Sequence, residues 1–423
     1  NILLLGSGGR EHALAYKISQ SPHCTKLFIA PGNPGTEKHG ENVPIVISDF
    51  NAIEKFVLHN SIDMIVVGPE ELLVKGIYDF FENSDQVPSI SIIGPSAAGA
   101  MLEGSKQFAK DFMKRYSIPS ASFAFFTLET IDEAHSYLEK HTVPVVLKAN
   151  GLTAGKGVVI CETVEAAHLE LEEMLKGKFG SASTKVVIEE YLKGIEMSVF
   201  VVTDGYDYRL LPTAKDYKRI GEGDTGANTG GMGAISPVPF ADETLMKKIE
   251  QQIIQPTIAG LQKEQITYKG FLYFGLMIVN QEPYLIEYNC RMGDPETEVV
   301  IPRLQNDIVD LFLGIANGGL LNKELRVLPY SAATVVLASG GYPGEFEKGK
   351  VVKNLTKTSE CLVFHAGTRK RINGDIESNG GRVLAITAFG RKLSDALKIA
   401  NRNAEMISFE GKYFRKDIGR DVM

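Results

Sequence analysis

The sequence predicts an α/β protein of two to four domains that opens on a parallel sheet. Three observations carry this. Short apolar runs alternate with helical pattern in the first hundred residues, glycine-rich turns follow the ends of those runs, and 423 residues suffice for more than one core.

Ile2–Leu5, Lys26–Ala30, Met64–Val67 and Ser91–Ile93 read as strands, with a helix over Glu11–Ser19 between the first two. The first turn is Gly6-Ser7-Gly8-Gly9-Arg10-Glu11-His12. It matches the dinucleotide fingerprint for three positions and then departs, because Glu11 stands where the third glycine belongs. The second strand ends in Pro31-Gly32-Asn33-Pro34-Gly35-Thr36, without the acid that binds an adenosine ribose. Gly8, Gly9, Arg10 and Glu11 are therefore expected to form an anion site at a helix N-terminus, beside Asn33, Pro34, Gly35 and Thr36. A phosphate-bearing small substrate suits it better than NAD. Gly68-Pro69-Glu70-Glu71 and Gly94-Pro95-Ser96 close the next strands, so four loops are expected along one crevice.

A boundary is read near Leu102–Gly104. Ser105 then caps a helix that stops before Pro119. Lys106 on this helix reaches a phosphate or is solvated, as Lys110 and Lys114 are read to be, and the residues leave that open. Val143–Lys148 and Gly157–Cys161 form a hairpin around a glycine loop. This is not a P-loop: it joins strand to strand, is one residue short, and has Gly157 in place of the hydroxyl residue. Gly151, Gly155 and Gly157, with Lys148 and Lys156, read as a lid over a triphosphate. The Lys185–Leu192 strand ends in Glu189, Glu190, Tyr191 and Leu192, an edge with backbone groups for a base. Glu196 follows; it takes a ribose or is a plain loop charge. Ala214–Ser236 is long, glycine-rich and carries Lys215, Lys218 and Arg219, which reads as a functional substrate loop.

Phe240–Gln262 reads as a helix and Gly270–Val279 as a strand. The Tyr284–Tyr288 strand then delivers Glu287 and Asn289 to one face, two residues apart. A carboxylate and an amide oxygen suit a hard cation such as Mg²⁺. Arg291 just beyond suits a phosphate or carboxylate, and its removal is expected to cost turnover while leaving the fold intact. Gly293-Asp294-Pro295 turns the chain into a helix, with Asp294 read as a cap or a proton acceptor. Helices follow at Glu298–Leu304 and Asp307–Ala316. A last unit has strands at Ala332–Ala338, Cys361–Gly367 and Arg382–Phe389 and a helix at Ser394–Ile407.

Composition narrows the function. A net charge of −7 argues against a large nucleic-acid footprint. No apolar run approaches a membrane span, and the start reads as a strand and not as a signal peptide. Cys24, Cys161, Cys290 and Cys361 lie far apart without zinc spacing, which favours free thiols in a reducing cytoplasm.

The motifs G-S-G-G-R-E-H-A-L, P-G-N-P-G-T, E-G-S-K-Q-F-A-K, G-L-T-A-G-K-G-V, N-T-G-G-M-G and N-C-R-M-G-D-P-E-T-E, with Tyr413–Gly419 near the end, occur in one order. Together they resemble the ATP-grasp ligases, and within them the phosphoribosylamine–glycine ligases, over nearly the whole chain. The resemblance implies a Rossmann-like N-terminal domain (1–102), an ATP-grasp core (103–327) with a mobile lid at about 120–187, and a C-terminal α/β domain (328–423). It implies ATP with Mg²⁺ or Mn²⁺, the substrates glycine and 5-phosphoribosylamine, and a monomer. Another ATP-grasp carboxylate–amine ligase or a carboxylase is the alternative. By resemblance Glu287 and Asn289 hold the metal, Lys106 and Lys148 contact phosphates, Glu189–Leu192 read adenine and Glu196 ribose. Lys215, Asn228, Thr229, Gly230, Gly231, Arg291, Gly293 and Asp294 meet substrate, and Arg291, Lys148 and Asp216 are the catalytic candidates. Three positions depart from the family pattern: Asn150 replaces Asp, Thr153 replaces Ala, and Tyr217 replaces His. The Phe271–Val279 strand also lacks the acid that many relatives place there.

Overall fold

The computed structural model describes residues 1–153 and 155–423. Ala154, in the glycine loop read as a lid, lies outside the described residues.

The first unit is a parallel sheet. Its strands run in the order Glu41–Asn42, Leu27–Pro31, Ile2–Gly6, Met64–Val67 and Ser91–Ile93. The apolar runs are continuous because both faces are covered: Leu3 and Leu5 pack on one side and Ile2 and Leu4 on the other. Ser105 accepts a hydrogen bond from the Phe108 N–H and caps the Lys106–Arg115 helix, as expected.

Two antiparallel sheets follow. Phe123–Thr127, Lys185–Glu190, Val145–Ala149 and Val158–Cys161 form a small sheet with its own core of Leu147, Leu171, Val186 and Ile188. Tyr208–Leu210, Ile195–Thr203, Gly270–Val279 and Glu282–Asn289 form the second. The cleft lies between these two sheets and the carboxyl ends of the parallel one.

The Ala214–Ser236 stretch differs from the open loop expected. Arg219–Gly221 and Thr225–Asn228 pair as a hairpin, and Lys215–Asp216 and Gly233–Ser236 become strands of the last sheet. Gly223 in the turn and Gly226 in the second strand hold φ of +68° and +79°, so glycines taken as loop signals serve this hairpin. That last sheet runs Lys215–Asp216, Gly233–Ser236, Ser331–Ala338, Arg382–Gly390, Cys361–His365, and the Leu393–Met406 helix packs on it.

The first and last units meet through polar groups. The Asn33 amide donates to the carbonyls of Ser7 and His365 at 2.8 and 2.9 Å, and its oxygen accepts from the Gly35 N–H. His12 Nδ1 accepts from the His365 N–H at 2.7 Å. Asn33, Gly35 and Thr36 are thus used up in structure, and Thr36 is fully buried. The loop expected to meet a ligand thus also forms a domain junction.

Burial, with nearby Lys38, pushes His365 down to about 4, and burial also lowers His12. Both are neutral in the fold and protonate with an ordinary value near 6.5 when unfolded. The unfolded chain therefore binds more protons, so the stability they confer is complete above pH 6.5 and is lost as pH falls toward 4. His365 alone accounts for about 3 kcal/mol. Urea midpoints should drop steeply between pH 6.5 and 4.5, and His365→Asn should flatten that drop.

Candidate active site

A cleft of about 750 Å³ gathers most of the expected residues. At one end a buried carboxylate, Glu189, lies 2.9 Å from Lys148 Nζ and 3.3 Å from Lys110 Nζ. Burial opposes the Glu189 charge, and the two lysines hold its carboxyl below the usual value. Burial pushes Lys110 down to about 8. Lys110 was read as solvated, yet it is 2% exposed. The signal was present: it lies four residues after Lys106, on the same helix face. Lys106 Nζ donates to the Gly151 carbonyl at 3.3 Å, beneath the glycine loop.

That loop is tied by the positions that depart from the family pattern. Asn150 Oδ1 accepts from the Gln107 N–H at 2.8 Å, joining loop to helix. Thr153 Oγ1 accepts from the Gly157 N–H at 3.0 Å. Gly155 lines the cleft, whereas Gly151, Lys156 and Gly157 do not. Along the strand edge Glu190, Tyr191 and Leu192 line the cleft, and the Glu190 carboxylate accepts from the Ser122 N–H.

Mid-cleft, Glu287 and Asn289 face inward from one strand. Lys218 sits 3.2 Å from Glu196 and 3.6 Å from Glu287. Burial disfavours the Glu287 charge, while Lys218, Lys148 and Lys106 outweigh it and hold the carboxyl low. Lys218 was noticed only as part of a basic cluster; its pairing with two distant carboxylates has no local signal.

The far end is denser in charge. Arg291 donates to Glu70 at 3.2 Å, to Glu103 at 2.7 Å and to the Met292 carbonyl. Asp216 is enclosed, and its Oδ1 has no hydrogen-bond partner among the described residues. Burial first, then Glu296, raises its proton affinity well above the ordinary carboxyl value. Glu298 is likewise buried, unpartnered among the described residues and raised by burial and by Asp294. Asp294 caps no helix: the next one starts at Thr297, and Asp294 instead pairs with Arg382 at 3.0 Å. Lys215 pairs with Asp421 at 3.0 Å, and Tyr217 donates to the same carboxylate.

The expected anion site at the first helix is altered by its own sequence. Glu11 Oε2 accepts from the Gly8 N–H at 2.6 Å, and Arg10 donates to Glu11 Oε1 at 2.7 Å. A Cβ on Gly6 or Gly68 would strike this carboxylate. The chain thus supplies the anion itself, and of this turn Arg10 alone lines the cleft.

Sequence models of the three phosphoribosylglycinamide synthetase domains match in order: the N domain over residues 1–103, the ATP-grasp (A) domain over 104–297 and the C domain over 332–421. The chain belongs to the phosphoribosylamine–glycine ligase family. It is 45% identical to the phosphoribosylamine–glycine ligase of Chlorobaculum tepidum over 100% of both chains. It is 44% identical to that of Pasteurella multocida over 99% of this chain and 97% of the relative. Among solved structures, the phosphoribosylamine–glycine ligase of Thermotoga maritima is similar at 36% identity and a TM-score of 0.85, covering 98% of this chain and 99% of that one. Family membership accounts for the ATP-grasp architecture. The arrangement above is this chain's own, with Asn150, Thr153 and Tyr217 each given a structural bond.

Proposed function

We propose that this chain is the ATP-dependent ligase that joins glycine to 5-phosphoribosylamine, giving glycinamide ribonucleotide, ADP and phosphate. The supporting observation is one continuous cleft in a chain of this family. It has lysines at one end, a carboxylate–amide pair at the middle and an arginine among buried carboxyls at the far end. Among the described residues the four cysteines form no disulfide, which fits a cytoplasmic enzyme, and no helix is long and apolar enough to cross a membrane.

A carboxylate acylates poorly, so ATP first activates it. A glycine carboxylate oxygen attacks the γ-phosphorus, the bond to ADP breaks, and glycyl phosphate forms. Lys106 and Lys148 offset triphosphate charge, and Arg291 orients the carboxylate. The amine nitrogen then attacks the acyl carbon and phosphate leaves. Asp216, as a carboxylate of raised proton affinity, accepts the proton that nitrogen sheds. Closure of the glycine loop excludes water that would hydrolyse the anhydride. Glu190–Leu192 take the adenine edge and Glu196 the ribose. Thr229, Gly230 and Gly293 face the glycine and ribosylamine side.

Glu287 and Asn289 would hold Mg²⁺ or Mn²⁺. Glu287 is kept ionised and shares a face with Asn289. Among the described residues no cluster of three acids, histidines or cysteines surrounds them. That suits a hard cation completed by phosphate oxygens and water. When bound, the ion neutralises charge on the transferring phosphoryl group. Glu287→Gln should raise the Mg²⁺ concentration for half-maximal rate roughly tenfold or more; an unchanged titration would reject it as a ligand.

The deciding assay is ADP release with Mg·ATP while glycine or phosphoribosylamine is left out in turn. Turnover that needs both is expected. Turnover with bicarbonate in place of both would replace this reading with a carboxylase.

A further inference from the structure

The peptide at Gly230 is held on both sides by the last unit of the chain. Its N–H donates to the Tyr342 hydroxyl at 3.0 Å, and its carbonyl accepts from the Arg382 guanidinium at 2.6 Å. The same Arg382 nitrogen donates to the Asp294 carbonyl at 2.6 Å, and Arg382 also pairs with the Asp294 carboxylate. One guanidinium thus links the two turns that bound the far end of the cleft. The fit is close: a Cβ on Gly230 would lie 2.9 Å from Arg382 Cζ, and one on Gly381 would strike the Tyr342 ring. Gly230 belongs to no strand, so these two side chains supply the partners a sheet would otherwise give it. The turn that carries Tyr342 also receives the glycine hairpin, since Lys156 Nζ donates to the Pro343 carbonyl at 3.4 Å.

We propose that Tyr342 and Arg382 are positioning residues for the reaction, fixing the Gly230 peptide so that its loop presents a preset face to the glycine and ribosylamine substrates. This rests on the ligase reading above. Neither residue needs to touch a reacting atom. Their action is on where the loop stands when substrate arrives.

The test uses the full chain with Tyr342→Phe, which removes one hydroxyl and keeps the ring, and Arg382→Lys, which keeps charge and loses the fork. Amide exchange is followed over residues 225–233, with KM for each substrate and the melting midpoint. For Tyr342→Phe, exchange at this segment should quicken about tenfold, and KM for glycine or phosphoribosylamine should rise about tenfold. KM for ATP and the melting midpoint should stay put. Arg382→Lys should do at least as much. Unchanged exchange in both variants would overturn the grip. Faster exchange with every kinetic constant unchanged would overturn the positioning role. Failure of the ligase reading shows separately, as a wild type without glycine-dependent ADP release, and the exchange arm then still decides whether the grip exists.

Discussion

Replacing Arg291 by alanine should cost roughly 100-fold in turnover, the scale of losing one donor to a developing charge, and should also destabilise the protein by about 3–5 kcal/mol. The second effect corrects the expectation of an intact fold. Arg291 is the cation between Glu70 and Glu103. Burial raises the Glu70 carboxyl, but Arg291 and Arg10 together bring it down to about 2. Without Arg291, Glu103 keeps only the Cys290 N–H and thiol as partners. Urea unfolding beside glycine-dependent ADP release checks both halves. Wild-type stability would show that these carboxylates find water. A wild-type rate would remove the arginine from the reaction.

Asp216→Asn should give the opposite pairing: about a 100-fold loss of turnover, the lower range for a proton-transfer group, with stability within about 1 kcal/mol of wild type or above it. Burial favours an uncharged side chain at this position, and Asp216 Oδ1 has no hydrogen-bond partner among the described residues, so an amide replaces the carboxyl without loss of charge pairing. What the amide lacks is a proton to hold or release. Product formation should fall while KM for ATP stays the same. A variant as fast as wild type would assign proton handling to the departing phosphate.

The two substitutions lie at one end of one cleft and are separable only because their partners differ, which is where the sequence was least informative. Local pattern was enough for the parallel strands, the glycine hairpin and the Glu287–Asn289 strand, since each is encoded within a dozen residues. Lys110 was misread because its burial depends on Glu189, 79 positions away, although its helix spacing from Lys106 pointed there. Glu70 and Glu103 converge on the site from the first unit and Arg382 from the last, and no period or spacing brings them together. Glu11 was seen as a broken fingerprint, but its function as the loop's own anion needed the fold. The junction made by the P-G-N-P-G-T loop was hidden for a related reason: its partner His365 lies 332 positions from Asn33.

The last sheet has a consequence for how this enzyme can be cut. Its Ser331–Ala338 strand pairs with Gly233–Ser236, which comes from nearly a hundred residues earlier. A fragment beginning near 328 would leave that strand with one side bare, and its residues are almost all buried and apolar. Such an edge recruits other chains. The final quarter of the sequence is therefore a poor unit for separate expression or for gene fusion. Two halves supplied in trans would need the break elsewhere, at an exposed turn that no sheet crosses.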